Sequence, residues 1–240
     1  MSGARGSFKF IPGTAPLQSG KVSAWLRLAN GTITGSGYSS VPDVLGATSP
    51  AVQATDANRP VNATSANGLP IMNMTDDFLS WPLSAANNGA VKNGFACWCK
   101  STLPTNCNLF EIYNGGGGAS AAKIDFFASG GLLTYYCEPG GSATRNPYMT
   151  ANAWHFVTAE YDGTQATDQA RLLITVDGVV LATTNTAIPT SQPTPTGNAA
   201  IGGFASIQPW VGSIGPNFFA LNAQLTAPER LALMNFEAPT

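Results

Sequence analysis

The stretch Arg171-Leu-Leu-Ile-Thr-Val-Asp-Gly-Val-Val-Leu-Ala-Thr183 consists of two apolar, β-branched runs joined by Asp177-Gly178. Asp-Gly suits the two positive-φ positions of a type I′ turn, the connection that matches the twist of paired strands. The stretch therefore predicts an antiparallel hairpin, and the same grammar repeats outward from it. Upstream, Trp154-His-Phe-Val-Thr-Ala-Glu-Tyr161 ends at Asp162-Gly163. Ala122–Phe127 and Leu132–Cys137 flank Ala128-Ser-Gly-Gly131, a second hairpin turn. Asn108–Tyr113 closes at the tetraglycine Gly115–Gly118, and Gly94–Leu103 comes before it. In that last segment, alternation puts Phe95, Cys97 and Cys99 on one face and Ala96, Trp98 and Lys100 on the other. Downstream, a Pro/Thr loop over Ile188–Gly197 is followed by Ala199–Phe204 and Val211–Phe219.

Only Thr226–Asn235 reads as a helix. Thr226 suits the N-cap, Glu229 follows three residues later, and Pro228 is tolerated in the first turn. The first 90 residues are loop-rich, with weaker strands at Phe8–Ile11, Val22–Leu28, Pro70–Met74 and Phe78–Trp81. The pattern predicts an all-β, antiparallel β-sandwich with one short C-terminal helix over residues 22–240, preceded by an arm at 1–21.

Composition narrows the function. Only 10% of the 240 residues are charged and the net charge is -2, against about 25% charged in an ordinary soluble domain. A near-neutral chain has no phosphate-seeking field, so no nucleic-acid partner is expected. Twelve Phe, six Tyr and five Trp supply ample core and argue against disorder. No run of about 18 apolar residues occurs, so no membrane span is expected. The start, Met1-Ser-Gly-Ala-Arg-Gly-Ser-Phe, shows no apolar signal core. Four cysteines (97, 99, 107 and 137) are too few for a disulfide framework and read as buried thiols.

The order of these segments resembles the concanavalin A-like, laminin G-type jelly-roll domains. Phe95-Ala-Cys-Trp-Cys-Lys100 is similar to an early family strand, with shortened spacing. Trp154–Gly163 resembles the family's Trp-His-x-Val…Tyr-Asp-Gly strand, and Leu172–Thr183 its Val-Asp-Gly hairpin. Ala200-Ile-Gly-Gly-Phe204 with Gly212-Ser-Ile-Gly215, and the closing Leu225–Leu233 helix, complete the series. Val41-Pro-Asp43 and Arg59-Pro…Asn67–Leu79 resemble the lead-in of phage and bacterial surface versions. The resemblance implies the jelly-roll fold. It leaves function open, because this sandwich serves lectins, enzymes, adhesion modules and virion parts.

Candidate chemistry is sparse. A glycosidase needs two carboxylates facing a groove, and Glu160-Tyr161-Asp162 is the one Glu-x-Asp, at a strand end with Asp162 in the turn. His155 is the sole histidine, so any triad or metal site would have to use it; a structural role after Trp154 is the better reading. Asp76-Asp77 is the candidate Ca²⁺ site, since hard cations take carboxylate oxygens, although solvated turn carboxylates are the better reading. The tetraglycine lacks the Lys-Ser/Thr of a phosphate loop. Trp210 and Tyr148, each following Pro in a loop, are the candidate sugar-stacking residues, although a structural or subunit-contact role is the better reading for each. These observations lead to a non-enzymatic virion structural protein, a homo-oligomer contacting other capsid or tail subunits, made in the host cytoplasm. The alternative is a glycan-binding attachment module, followed by a glycoside hydrolase.

Overall fold

In the computed structural model of the protein, the structure describes residues 20–82, 91–102, 107–113, 122–129, 132–137, 141–145, 149–192, 198–203 and 209–240. The expected strand at Phe8–Ile11 and nearly all of the arm lie outside these. In chain order the strands are β1 (Val22–Arg27), β2 (Thr32–Thr34), β3 (Gly37–Val41), β4 (Ala51–Val52), β5 (Val61–Thr64) and β6 (Pro70–Met74). Then come β7 (Leu79–Trp81), β8 (Lys92–Ser101), β9 (Cys107–Tyr113), β10 (Ala122–Ser129), β11 (Leu132–Cys137) and β12 (Gly141–Arg145). The last six are β13 (His155–Asp162), β14 (Leu172–Val176), β15 (Val179–Val180), β16 (Thr184–Thr186), β17 (Ala199–Ile201) and β18 (Gly212–Leu221). The α-helices among the described residues are a single turn, α1 (Asp168–Arg171), and the C-terminal α2 (Ala227–Met234).

All the pairings are antiparallel and form two layers. The back layer runs β1-β18-β8-β13-β14-β15. The front layer runs β4-β7-β17-β9-β10-β11-β12-β16. Strands β3, β5 and β6 link the two, with β6 pairing to the first residues of β18. The chain is an all-β antiparallel sandwich with a short C-terminal helix, as its sequence predicts.

The alternation in β8 decides what each face buries. Phe95, Cys97 and Cys99 enter the main core between the layers, where Phe95 meets Phe110 of β9 at 5.0 Å and Phe218 of β18 at 5.6 Å between ring centroids. Ala96 and Trp98 face the other way, into a second cluster with Trp25, Phe156, Phe219, Leu225, Leu233 and Phe236 beneath α2. The back sheet is thus buried on both faces. Strand β18 keeps its central place although it contains Pro216, because the register shifts between Ile214 and Phe218 and the missing N–H falls in that irregularity.

The Asp177-Gly178 turn has φ of 51° and 80° at its two positions, as a type I′ connection requires. The hairpin is shorter than its sequence suggests, since β15 ends at Val180. Residues Thr184–Thr186 leave the back sheet and pair instead with β12 of the front sheet.

Helix α2 starts with a complete capping box between Thr226 and Glu229. Burial raises the Glu229 carboxyl, but hydrogen bonds from the Lys21 ammonium and from the Thr226 N–H and hydroxyl outweigh it and hold it at about 2. A carboxyl depressed below its ordinary 4.5 stabilises the fold above that pH, and the contribution is lost as pH falls toward 2. Urea melts of wild type and Glu229→Gln between pH 6 and pH 2 test this. Wild type should lose its advantage over the variant across that acid window; a constant difference would contradict the assignment.

Candidate functional site

The carboxylates singled out by sequence prove to be fixed in structural roles. On β13, Phe156 and Glu160 point away from the main core, toward α2. Glu160 is fully buried and accepts four hydrogen bonds. Arg230 of α2 grips it in bidentate fashion, Nε to Oε1 at 2.7 Å and Nη2 to Oε2 at 2.8 Å. The Thr158 hydroxyl donates to Oε1 at 2.6 Å, and the Leu225 N–H donates to Oε2 at 2.8 Å. No oxygen of this group is left for a substrate or a proton relay. Two positions on, Asp162 closes the following turn by accepting from Thr164 N–H, the Thr164 hydroxyl and Gln165, with Lys92 at 3.1 Å. Burial raises the Asp162 carboxyl, and these donors together overcome it and leave it below the usual range.

His155 is held between two elements. Its Nε2 accepts the Thr150 N–H at 3.1 Å, so the ring proton sits on Nδ1, which donates to Asp177 Oδ2 at 2.8 Å. The other Asp177 oxygen accepts the Phe156 N–H. The imidazole therefore pins the loop before β13 to the type I′ turn, the structural role expected of it. Cys97, Cys99 and Cys107 are free, buried thiols, and burial pushes Cys99 well above its ordinary value.

Of the candidate ligand residues, Trp210 is fully buried in the main core, so its ring offers no face to solvent. Tyr148 lies outside the described residues. Asp76 is exposed, while Asp77 is buried and accepts the Thr75 N–H at 3.1 Å. Burial raises Asp77, against the pull of that N–H. Among the described residues, no three His, Cys, Asp or Glu side chains gather as a metal site would need. The residue of consequence in the lead-in is Asp43. It accepts from the N–H groups of Trp25, Leu45, Ala47 and Thr48 and from the Thr48 hydroxyl, and so closes one loop onto β1.

On the outer face of the front sheet, Ala200, Glu111 and Thr134 are buried, and exposed positions occur toward its β11 and β16 edge. Within β11, Leu133 and Tyr135 enter the core, and the Tyr135 hydroxyl donates to Asn93 of β8. Tyr136 must therefore point outward, and it is 48% exposed, the one aromatic side chain so open among the described residues. The register places Tyr136 in a transverse row: Ser80, Ala200, Glu111, Asp125, Tyr136, Ser142, Thr186. Glu111 alternates with the core residues Phe110 and Ile112, and it accepts from Asn108 Nδ2 at 3.2 Å; both are buried. In this row Tyr136 and Thr186 are exposed, and Ala200 and Glu111 are buried. Sequence reading missed Tyr136 because Tyr135-Tyr136 shows two adjacent aromatics, and only the partner sheet decides which one faces out.

No protein-family model matches the chain, and no curated protein matches it. Solved structures do. A sialidase from Trypanosoma rangeli, solved with sialic acid, aligns with TM-score 0.61 at 16% identity over 89% of this chain and 33% of its own. Domain 4 of AbnA, an extracellular GH43 arabinanase from Geobacillus stearothermophilus solved with arabinotriose, gives 0.61 at 15% identity over 89% of this chain and 98% of the domain. The binding domain of botulinum neurotoxin DC, solved with rat synaptotagmin II, gives 0.58 at 12% identity over 90% of this chain and 51% of its own. The likeness is one of fold. The chain spans about a third of the sialidase but matches the arabinanase domain almost whole. These neighbours overturn the expectation of a virion structural protein. That expectation rested on the missing signal core, the sparse charge, the loop-rich amino end and the resemblance to phage-encoded versions.

The structural assignment of Glu160 is tested by stability. Glu160→Gln or Arg230→Met strands one buried charge and should cost about 3–5 kcal/mol in urea unfolding, whereas Glu160→Leu with Arg230→Met should recover most of the loss. A Glu160→Gln protein as stable as wild type would contradict it.

Proposed function

We propose that this chain is a glycan-binding module of the concanavalin A-like type, acting through the outer face of its front sheet around Tyr136. The observation that carries the reading is the pairing of an outward, half-exposed tyrosine on a sheet face with a fold matched along almost the whole of a domain that was solved with arabinotriose. An aromatic ring presents an apolar plane to the C–H face of a sugar, while the exposed Thr184 and Thr186 hydroxyls can serve the sugar's hydroxyl groups. Binding without hydrolysis is favoured over a glycosidase because Glu160 and Asp162 are both engaged in structural hydrogen bonds. Such a module would tether whatever it is attached to onto a polysaccharide.

The test is retention on insoluble and immobilised polysaccharides, arabinan included. Tyr136→Ala should weaken retention about tenfold, equivalent to about 1.4 kcal/mol, and leave the melting temperature within a degree or so of wild type, since an exposed side chain contributes little to stability. Unchanged retention in a folded Tyr136→Ala protein would reject this face.

A further inference from the structure

We infer that His155 is a pH-sensitive latch: while neutral it holds the loop Thr150–Ala153 against β13, and on gaining a second proton it keeps Asp177 and releases the loop. The latch belongs to the back sheet and does not depend on the glycan-binding reading. The ring stands at the first residue of β13, opposite Cys99 of β8 in register, with 11% of its side chain exposed. Its two nitrogens do opposite things. Nδ1–H donates to Asp177 Oδ2 at 2.8 Å, whereas the Nε2 lone pair takes the Thr150 N–H at 3.1 Å. Only a neutral imidazole can do both, because the cation carries a proton on each nitrogen and has no acceptor. Charging the ring sets Nε2–H against the Thr150 N–H, donor against donor. At Nδ1 the change is favourable, since a hydrogen bond between ions is roughly twice as strong as a neutral one. Asp177 is also fixed in place, its Oδ1 accepting the Phe156 N–H at 2.8 Å from within the type I′ turn. The contact that gives way is therefore the one to Thr150.

The surroundings of the ring leave this choice to Asp177. From β8, the Cys99 thiol is pushed well above its ordinary value by burial and brings no charge. One residue along, the Lys100 ammonium is directed over the Trp154 ring, 5.1 Å from its centroid. The loop itself, Met149–Ala153, contains no ionisable side chain. Its two ends are anchored, Met149 in the main core and Trp154 beneath Lys100. Between them Ala151 and Asn152 are exposed. Asn152 has φ of 61°, in the left-handed region that a residue with a Cβ adopts at a cost. Such a conformation persists where neighbouring contacts over-determine it. Here they are the Asn152 N–H to the Ser101 carbonyl at 2.7 Å, the Ala153 N–H to the Thr150 carbonyl at 3.3 Å, and the Thr150 N–H to His155. The last is present above the titration range of imidazole, ordinarily about 6.5, and is lost as pH falls through it.

Imidazole nitrogen shifts and amide hydrogen exchange, both measured on the wild-type chain from about pH 8 to about pH 5, test the latch. At the upper end the ring should be the Nδ1–H tautomer. As it charges, Thr150 should lose at least about tenfold in protection, corrected for the pH dependence of intrinsic exchange. Val157, paired on both sides within β13, should keep its own. Asp177→Asn leaves an Asn-Gly pair suited to the same turn and removes the anion, so the loosening should move to lower pH. A ring that charges with Thr150 still protected, a ring that stays neutral throughout, or loosening at an unchanged pH in Asp177→Asn overturns the inference.

Discussion

The buried pair between Glu160 and Arg230 is the constraint on which the rest depends. A carboxylate without solvent contact on the outer face of a sheet is tolerable only if every lone pair is engaged and the charge is balanced. Arg230, Thr158 and the Leu225 N–H do this together. Two of those partners belong to the C-terminal segment, so the pair fixes α2 against β13 and closes the second cluster around Trp25, Phe156 and Phe219. The tail that follows is held in turn: Glu237 binds Arg27 and Asn217, and Asn217 accepts from the Trp25 indole. With the back sheet sealed on both faces, the proposed glycan site is placed on the front sheet.

That division of labour accounts for the odd composition. A chain with 10% charged residues places several of its ions in structural positions rather than on open surface: Glu160 with Arg230, Asp43 in its loop, Asp162 in its turn, and Asp168 with Arg171 beside Ile188. Among the described residues of the front sheet, Tyr136, Thr184 and Thr186 are the exposed ones on its β11–β16 side. A surface of this kind suits a hydroxyl-rich partner.

Much of the architecture was legible in the sequence. Strand alternation in Phe95–Lys100, the Asp177-Gly178 turn and the Thr226–Glu229 capping box are local signals, and each is realised where it was read. Short strands such as Thr32–Thr34, Ala51–Val52 and Thr184–Thr186 were missed, since two or three residues carry no period and exist only because a partner strand is present. The site was harder to read. Glu160 looks like a catalytic acid until Arg230, 70 residues away, is brought onto it. Trp210 looks like a sugar platform until the core closes over it. Tyr136 gains its meaning only from the burial of Tyr135. Long-range partners decide all three, and spacing does not contain them.

The most direct test of the account is a crystal structure of the chain soaked with arabinotriose. The account predicts a sugar ring stacked on Tyr136, with the Glu160–Arg230 pair undisturbed beneath α2. Sugar bound instead at a loop end or on the back sheet, or a Glu160 carboxylate turned toward the ligand, would contradict it.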